Sequence, residues 1–157
     1  NFRGSKKAYK DEFYQTLPNV TIYIDERNCL VIAAPKISEK LVVTNDVVNL
    51  ISDTQFEWLG RFDNVINSGG IKLHPEKIEE KLSKIITNRF FVAGIPDEKL
   101  GEKLVLMVEG NQQEINIDLA QFSKFEIPKE IYFLNNFVET ESAKIQRKKT
   151  IAKIFTK

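Results

Sequence analysis

The residues able to do chemistry in this chain are few and widely spaced. Asp46 and Arg61 stand fifteen positions apart. A carboxylate accepts hydrogen bonds on both oxygens. A guanidinium is a rigid fork of donors. Taken alone, Asp46 reads equally as a turn residue capping a β-hairpin, and Arg61 as a surface arginine paired with Asp63 or Glu57. Lys144 opens a basic run with Lys148, Lys149, Lys153 and Lys157. Taken alone it reads as the start of a basic helix. Ser68-Gly69-Gly70 reads as a bulge or turn with positive φ. His74 is the single histidine, so no histidine-rich metal site is available, and beside Pro75 it reads as a cap. Glu79 and Glu80 have no metal-binding spacing. Cys29, the single cysteine, lies in the apolar-leaning NCLVIAAP and reads as a small buried thiol in a reducing cytoplasm.

These residues must be held by two kinds of element. The first sixty residues read as β structure, with short runs of Val, Ile, Phe and Trp bounded by Asn, Asp and Ser. VTIYIDERNCLVIAAP gives two strands around Asp25–Asn28, and LVVTNDVVNLI and QFEWLG give two more around Ser52-Asp53-Thr54. After Gly70 the pattern alternates. His74-Pro75-Glu76 starts a helix with Ile78, Leu82 and Ile85 on one face and Glu80–Lys84 as an i,i+4 pair. RFFVAGIP, KLVLMVEG and EIYFL read as strands. IDLAQFSKF reads as a short helix, and KIQRKKTIAKIF as a closing one with Ile145, Ile151, Ile154 and Phe155 inward. The fold class is therefore α+β: a β-rich part, residues 1–62, then a small α+β domain with a central sheet and flanking helices, residues 63–157. GRFDNVINSGG (60–70) is longer than a hairpin turn of two to five residues. It reads as the joint between the two parts, where a ligand cleft is a common arrangement.

Bulk properties set outer limits. The chain has 157 residues, 42% of them hydrophobic, and a net charge of +1. That suits a folded soluble protein with no global field calling for nucleic acid or a membrane. Ile and Phe interleave with the C-terminal lysines, which describes a packed helix rather than a nucleic-acid-binding one. No apolar run approaches the roughly 18 residues of a membrane span. No signal peptide is evident. The chain starts at Asn1 in a polar, basic segment rather than at Met, so a missing upstream part is expected.

The motifs resemble those of the adenylate-forming enzymes, which include acyl-CoA ligases, luciferases and peptide-synthetase adenylation domains. GRFDNVINSGGIKLHPEKIEEKL is similar to their hinge motif, near GRxDDxIxxGGxxIxPxEIE, with Asn64 for the second Asp and Lys77 for a Glu. Thr44-Asn45-Asp46 resembles their Thr-Gly-Asp, at the family's distance from Arg61. FVAGIPDEKLGEKLVLMV resembles the segment that follows the hinge motif. VETESAKIQRK resembles their Pro-Lys-Thr-x-x-Gly-Lys, matching outright at Thr140 and Lys144. Asn45 and Ala143 stand where the family usually has glycine.

The resemblance implies carboxylate adenylation by ATP with Mg2+, then thioester formation with coenzyme A. It implies that Asp46 binds the ribose hydroxyls and Arg61 the ribose or phosphate. Asp63 becomes the pivot of a rotating C-terminal lid, Ser68, Gly69 and Gly70 lie beside the pantetheine arm, and Lys144 is the adenylation lysine. The partners implied are a small carboxylic acid, ATP, coenzyme A and an N-terminal domain of the same protein, which would carry the phosphate loop, the adenine site and most magnesium contacts. The part present is expected to be inactive alone. Within the family, LPNVTIYIDERNCLVIAAP and the lean segment after Gly110 resemble the O-succinylbenzoate–CoA ligases of menaquinone synthesis. Other aryl- or fatty-acyl-CoA ligases are the near alternatives.

Overall fold

The computed structural model describes residues 13–117 and 119–155. The basic opening segment and Lys157 lie outside them. The chain divides into two compact units, one ending at Val65 and one beginning at Ile66.

The first unit is a five-stranded antiparallel sheet. Its strands are β1 (Phe13–Gln15), β2 (Thr21–Ile24), β3 (Cys29–Ala33), β4 (Val42–Leu50) and β5 (Gln55–Arg61), in the order β1-β5-β4-β3-β2. The four strands expected from the sequence are present, and β1 is an addition to them. Val20, Ile22, Leu30, Ile32 and Val48 form its core, with Phe56 and Trp58 packed against it. The β2–β3 turn closes because Asp25 Oδ1 accepts the backbone N–H of Arg27 (2.8 Å) and of Cys29 (2.9 Å). Asn28 takes a φ of 61°, which asparagine tolerates better than most residues. Cys29 is fully buried, and that burial raises its thiol pKa.

A 3₁₀ turn, Phe62–Asn64, and Val65 end this unit. The second unit begins with β6 (Ile66–Ser68) and β7 (Ile71–Leu73), followed by α1 (Pro75–Leu82), β8 (Phe90–Asp97), β9 (Gly101–Glu109), β10 (Glu130–Leu134) and α2 (Arg147–Phe155). Strand β9 is its centre. It pairs antiparallel with β8, parallel with β10, and meets β6 at Ser68–Gly101. Two faces are buried. Leu104, Leu106 and Val108 pack with Ile78 and Leu82 of α1. Val105 and Met107 pack with Phe91, Phe137 and the α2 residues Ile151 and Ile154. Burial on both faces is why β8 and β9 read as unbroken apolar runs.

Several local expectations change. IDLAQFSKF shows only a 3₁₀ turn at Leu119–Gln121 among its described residues. Among its described side chains Phe122 alone is deeply buried, while Gln121, Ser123, Lys124 and Phe125 are exposed, and a helix needs a buried stripe. Helix α1 stops at Leu82, so Ile85 and Lys84 lie past its end and Glu80–Lys84 is no helical pair. Phe155 is 53% exposed, with its ring edge-to-face on Tyr132, rather than inward. Of the proposed joint, Phe62–Val65 and the Gly69-Gly70 turn lie outside the strands. Its second half is the β6–β7 hairpin.

Candidate functional site

In the first unit, antiparallel pairing of β4 with β5 sets Asp46 opposite Arg61. Thr44 prepares the position: its hydroxyl donates to the Leu30 carbonyl (2.8 Å) and accepts the Asp46 N–H (3.1 Å). Asp46 Oδ1 accepts from Trp58 Nε1 (3.2 Å) and Arg61 Nη1 (3.4 Å). Neither bond uses Oδ2. The arrangement is a half-exposed carboxylate held by an indole, with an exposed guanidinium alongside, and it can offer an acceptor and a fork of donors to one polyhydroxylated, anionic ligand.

Asp63 stands in the 3₁₀ turn one residue past Phe62, exposed. Asn45 reaches it: the Asn45 amide donates to Asp63 Oδ2 at 2.6 Å. The same amide's oxygen accepts from Arg27 Nη1 at 2.9 Å. Arg27 also binds Asp25 Oδ2 (2.7 Å) and the Thr44 carbonyl (3.2 Å), and its guanidinium lies 5.2 Å from the Phe62 ring centre. The first unit thus holds two polar groups, Asp46 with Trp58 and Arg61, and Asp63 with Asn45 and Arg27, carried by successive residues of β4. Sequence reasoning missed Arg27 and the role of Asn45. Arg27 lies in the turn before β3 and its guanidinium reaches across to Asn45 on β4, a contact that no local spacing in the sequence announces.

In the second unit, Gly69 and Gly70 form the β6–β7 turn with φ of 60° and 80°. A side chain at Gly69 would strain the backbone and bring its Cβ to 3.3 Å from Leu100, whereas one at Gly70 would meet nothing within 4 Å. Ser68 is buried, and the Gly69 N–H donates to the Leu100 carbonyl (2.8 Å). The turn therefore presents bare, fixed backbone on its open side.

Lys144 lies on a different loop of this unit, between β10 and α2, and is exposed. Glu139 and Ile145 bridge across the base of the loop. The Thr140 N–H donates to the Lys144 carbonyl (2.9 Å), and the Lys144 N–H donates to Thr140 Oγ1 (3.1 Å). Ala143 closes the turn at φ 58°, so a positive φ is adopted where glycine was expected. Three residues on, Arg147 Nη2 donates to Glu79 Oε2 (2.9 Å) and Nη1 pairs with Glu79 Oε1 (2.8 Å). Burial raises the Glu79 pKa, while Arg147 and the Val92 N–H (2.9 Å to Oε1) act against that rise. His74 precedes α1 as its N-terminal flanking residue, and Pro75 follows it at the first turn. Among the described residues no group of three His, Cys, Asp or Glu side chains is placed to hold a metal ion, and no helix is long and apolar enough to cross a membrane.

No protein-family model matches the chain. It is 31% identical over 114 residues to an oxalate–CoA ligase of Arabidopsis thaliana, covering 67% of this chain and 22% of that protein. It is 31% identical over 110 residues to an uncharacterized acyl–CoA ligase of Bacillus subtilis, covering 67% of this chain and 23% of that one. The chain thus spans roughly a fifth of the length of these curated relatives. Among solved structures, an AMP-forming acyl-CoA synthetase/AMP-acid ligase II-like protein from Dyadobacter fermentans is 36% identical, with a TM-score of 0.55 over 94% of this chain and 45% of that one. The O-succinylbenzoate coenzyme A synthetase of Bacillus subtilis shares the fold at 16% identity, with a TM-score of 0.71 over 88% of this chain and 35% of that one. The relatives and structural neighbours of this chain are AMP-forming acyl-CoA ligases of the adenylate-forming superfamily, and its strand-rich α+β fold matches that of their C-terminal domain.

Proposed function

We propose that this chain is the C-terminal portion of an ATP-dependent acid–CoA ligase. Residues 1–62 are the last β subdomain of its N-terminal domain, and residues 63–157 are its C-terminal lid. The observation that carries the proposal is the Asp46–Arg61 pair, facing across β4 and β5 immediately before the Phe62–Asn64 turn. It occurs in a chain 31–36% identical to named CoA ligases. A carboxylate oxygen attacks the α-phosphorus of ATP and pyrophosphate leaves. The thiol of coenzyme A then attacks the acyl carbon and AMP leaves.

In this reading Asp46 accepts the ribose hydroxyls, and Arg61 donates to ribose or phosphate oxygens. Lys144 brings an ammonium between the attacking carboxylate and the α-phosphate, two anions that otherwise repel. Such a preorganised cation is worth roughly 10²–10³ in rate. Asp63 is the pivot for lid rotation, and Ser68-Gly69-Gly70 flanks the pantetheine arm. The open side of the Gly70 turn supports that last role. Magnesium rides on ATP, and this chain's residues supply no cluster for it among those described. For the acid we propose O-succinylbenzoate, on the resemblance of LPNVTIYIDERNCLVIAAP to that subgroup. A second acid class, a small dicarboxylate or fatty acid, is favoured by the names of relatives that include an oxalate–CoA ligase and a putative long-chain fatty acid–CoA ligase.

The test uses the full-length protein carrying this chain. Lys144→Ala is expected to lower adenylate formation about 10²–10³-fold while sparing thioester formation from supplied acyl-adenylate. Equal loss of both half-reactions removes the proposed role of Lys144. Pyrophosphate release across a panel of acids decides between O-succinylbenzoate and the others.

A further inference from the structure

The loop that carries Lys144 is tight within itself, and at its N-terminal side Glu139 pairs with Arg89, which pairs in turn with Glu109 of β9 (3.1 Å). At its C-terminal side the attachment is a half-buried ionic clamp. Arg147, the first residue of α2, directs both guanidinium Nη atoms at the two oxygens of Glu79 on α1. The same guanidinium donates to the Val92 carbonyl of β8 (3.2 Å) and lies over the Phe91 ring at 5.5 Å. Glu79 in turn accepts the Val92 N–H (2.9 Å). One arginine and one glutamate thus tie together α1, β8 and the start of α2. Their side chains are 24% and 18% exposed. Nothing in the chemistry proposed above uses either group.

The other contacts of α2 are less directional. Ile151 and Ile154 pack on the second core, and the Thr150 hydroxyl accepts the Val138 N–H (3.0 Å). Apolar packing docks a helix without fixing its position to a fraction of an ångström. A bidentate arginine–carboxylate pair does fix it, because both partners are planar and the bonds are directional. Lys144 lies three residues from that clamp, and a misplacement of about 1 Å in a catalytic group costs up to about 10²-fold in rate.

We propose that Glu79 and Arg147 are positioning residues for Lys144: their ion pair fixes the base of the lysine's loop against α1 and β8. This rests on the reading of Lys144 as the adenylation cation. Removing one partner of a buried pair destabilises strongly, so the informative variants are Arg147→Lys, which keeps charge but loses the fork, and Glu79→Gln, which keeps shape but loses charge.

Two measurements separate the clamp from the lysine's role. In this chain, amide hydrogen exchange at Ala143 and Lys144 is expected to quicken about tenfold or more in Arg147→Lys, with β9 amides unchanged. Unchanged exchange at both residues overturns the clamp, whatever Lys144 does. In the full-length protein, Arg147→Lys and Glu79→Gln are each expected to lower adenylation kcat about 10–100-fold, with thioester formation from supplied adenylate within twofold. Neither is expected to add further loss to Lys144→Ala. Additive loss, or equal loss in both half-reactions, makes the pair merely structural and overturns the proposal. If Lys144→Ala keeps full adenylation while loop exchange still quickens in Arg147→Lys, the reading of Lys144 fails, and with it the catalytic purpose of a clamp that is nonetheless real.

Discussion

At the scale of single residues, Ala143 and Asn45 each hold a place where a glycine was expected, and they have opposite consequences. Ala143 has a φ of 58°. There an L-residue's Cβ crowds the backbone, at a cost of about 1–2 kcal/mol. The loop accepts that cost because Thr140, through its hydroxyl and its N–H, closes the same turn from the other side. Ala143→Gly relieves the strain but adds unfolded-state freedom worth about 0.4–1 kcal/mol. The expected net gain is about 0.5–1 kcal/mol, read as a rise in the urea midpoint at constant slope; no gain means the turn takes another conformation in solution. Asn45 is not strained. It lies within β4, and its amide joins Arg27 to Asp63, a bridge a glycine has no atoms to make.

At the scale of elements, the β8–β9 hairpin shows a side chain fixing a turn. Asp97 Oδ1 accepts the Leu100 N–H (2.9 Å) and the Lys99 N–H (3.0 Å), and those two backbone donors hold its carboxyl below the ordinary carboxylate pKa. A depressed folded pKa means a stabilisation that is present above the unfolded value and lost as pH falls through the folded one. Wild type is therefore expected to lose stability relative to Asp97→Asn as pH is lowered from about 5 toward about 2, measured by urea midpoints. A difference that does not change with pH removes the charge from the account. This hairpin was legible in advance because apolar continuity and a Pro-Asp turn mark it. The same holds for β2 to β5 and α1, whose periodicity and caps are local. Less was legible where long-range contacts decide. IDLAQFSKF reads as a short helix, but among its described side chains only Phe122 is deeply buried, and its described backbone makes a 3₁₀ turn. Spacing and motif single out Asp46 and Arg61 as candidates, but the partners they suggest for Arg61 are Asp63 or Glu57, whereas the β4–β5 register sets it against Asp46. Arg27 could not be singled out, because its guanidinium reaches from the turn before β3 across to β4. The Glu79–Arg147 pair joins residues 68 positions apart, and no local pattern announces it.

At the scale of the whole molecule, each unit buries its own apolar cluster. The first unit ends in a short segment, the Phe62–Asn64 turn and Val65, with a backbone bond from the Val65 N–H to the Phe62 carbonyl (3.2 Å). The Asp63 side chain accepts from Asn45 of the same unit. A segment of this kind can change backbone angles without disturbing either core, which is what a pivot requires. Proline at position 63 tests this. It fixes φ at position 63 near −65°, which a 3₁₀ turn uses, and works against the helical angles of Phe62, so the connection is restricted while both cores stay intact. If the chain belongs to a full-length ligase as proposed, Asp63→Pro in that protein is expected to keep adenylation within a few-fold and to lower thioester formation about tenfold or more, because in the proposed scheme only the second half-reaction follows the rotation. Pyrophosphate release and thioester yield from supplied adenylate measure the two separately. Normal rates in both half-reactions place the pivot elsewhere. Loss of adenylation alone reverses the assignment of which state the native turn favours, since a locked connection preserves only the half-reaction whose geometry it already has.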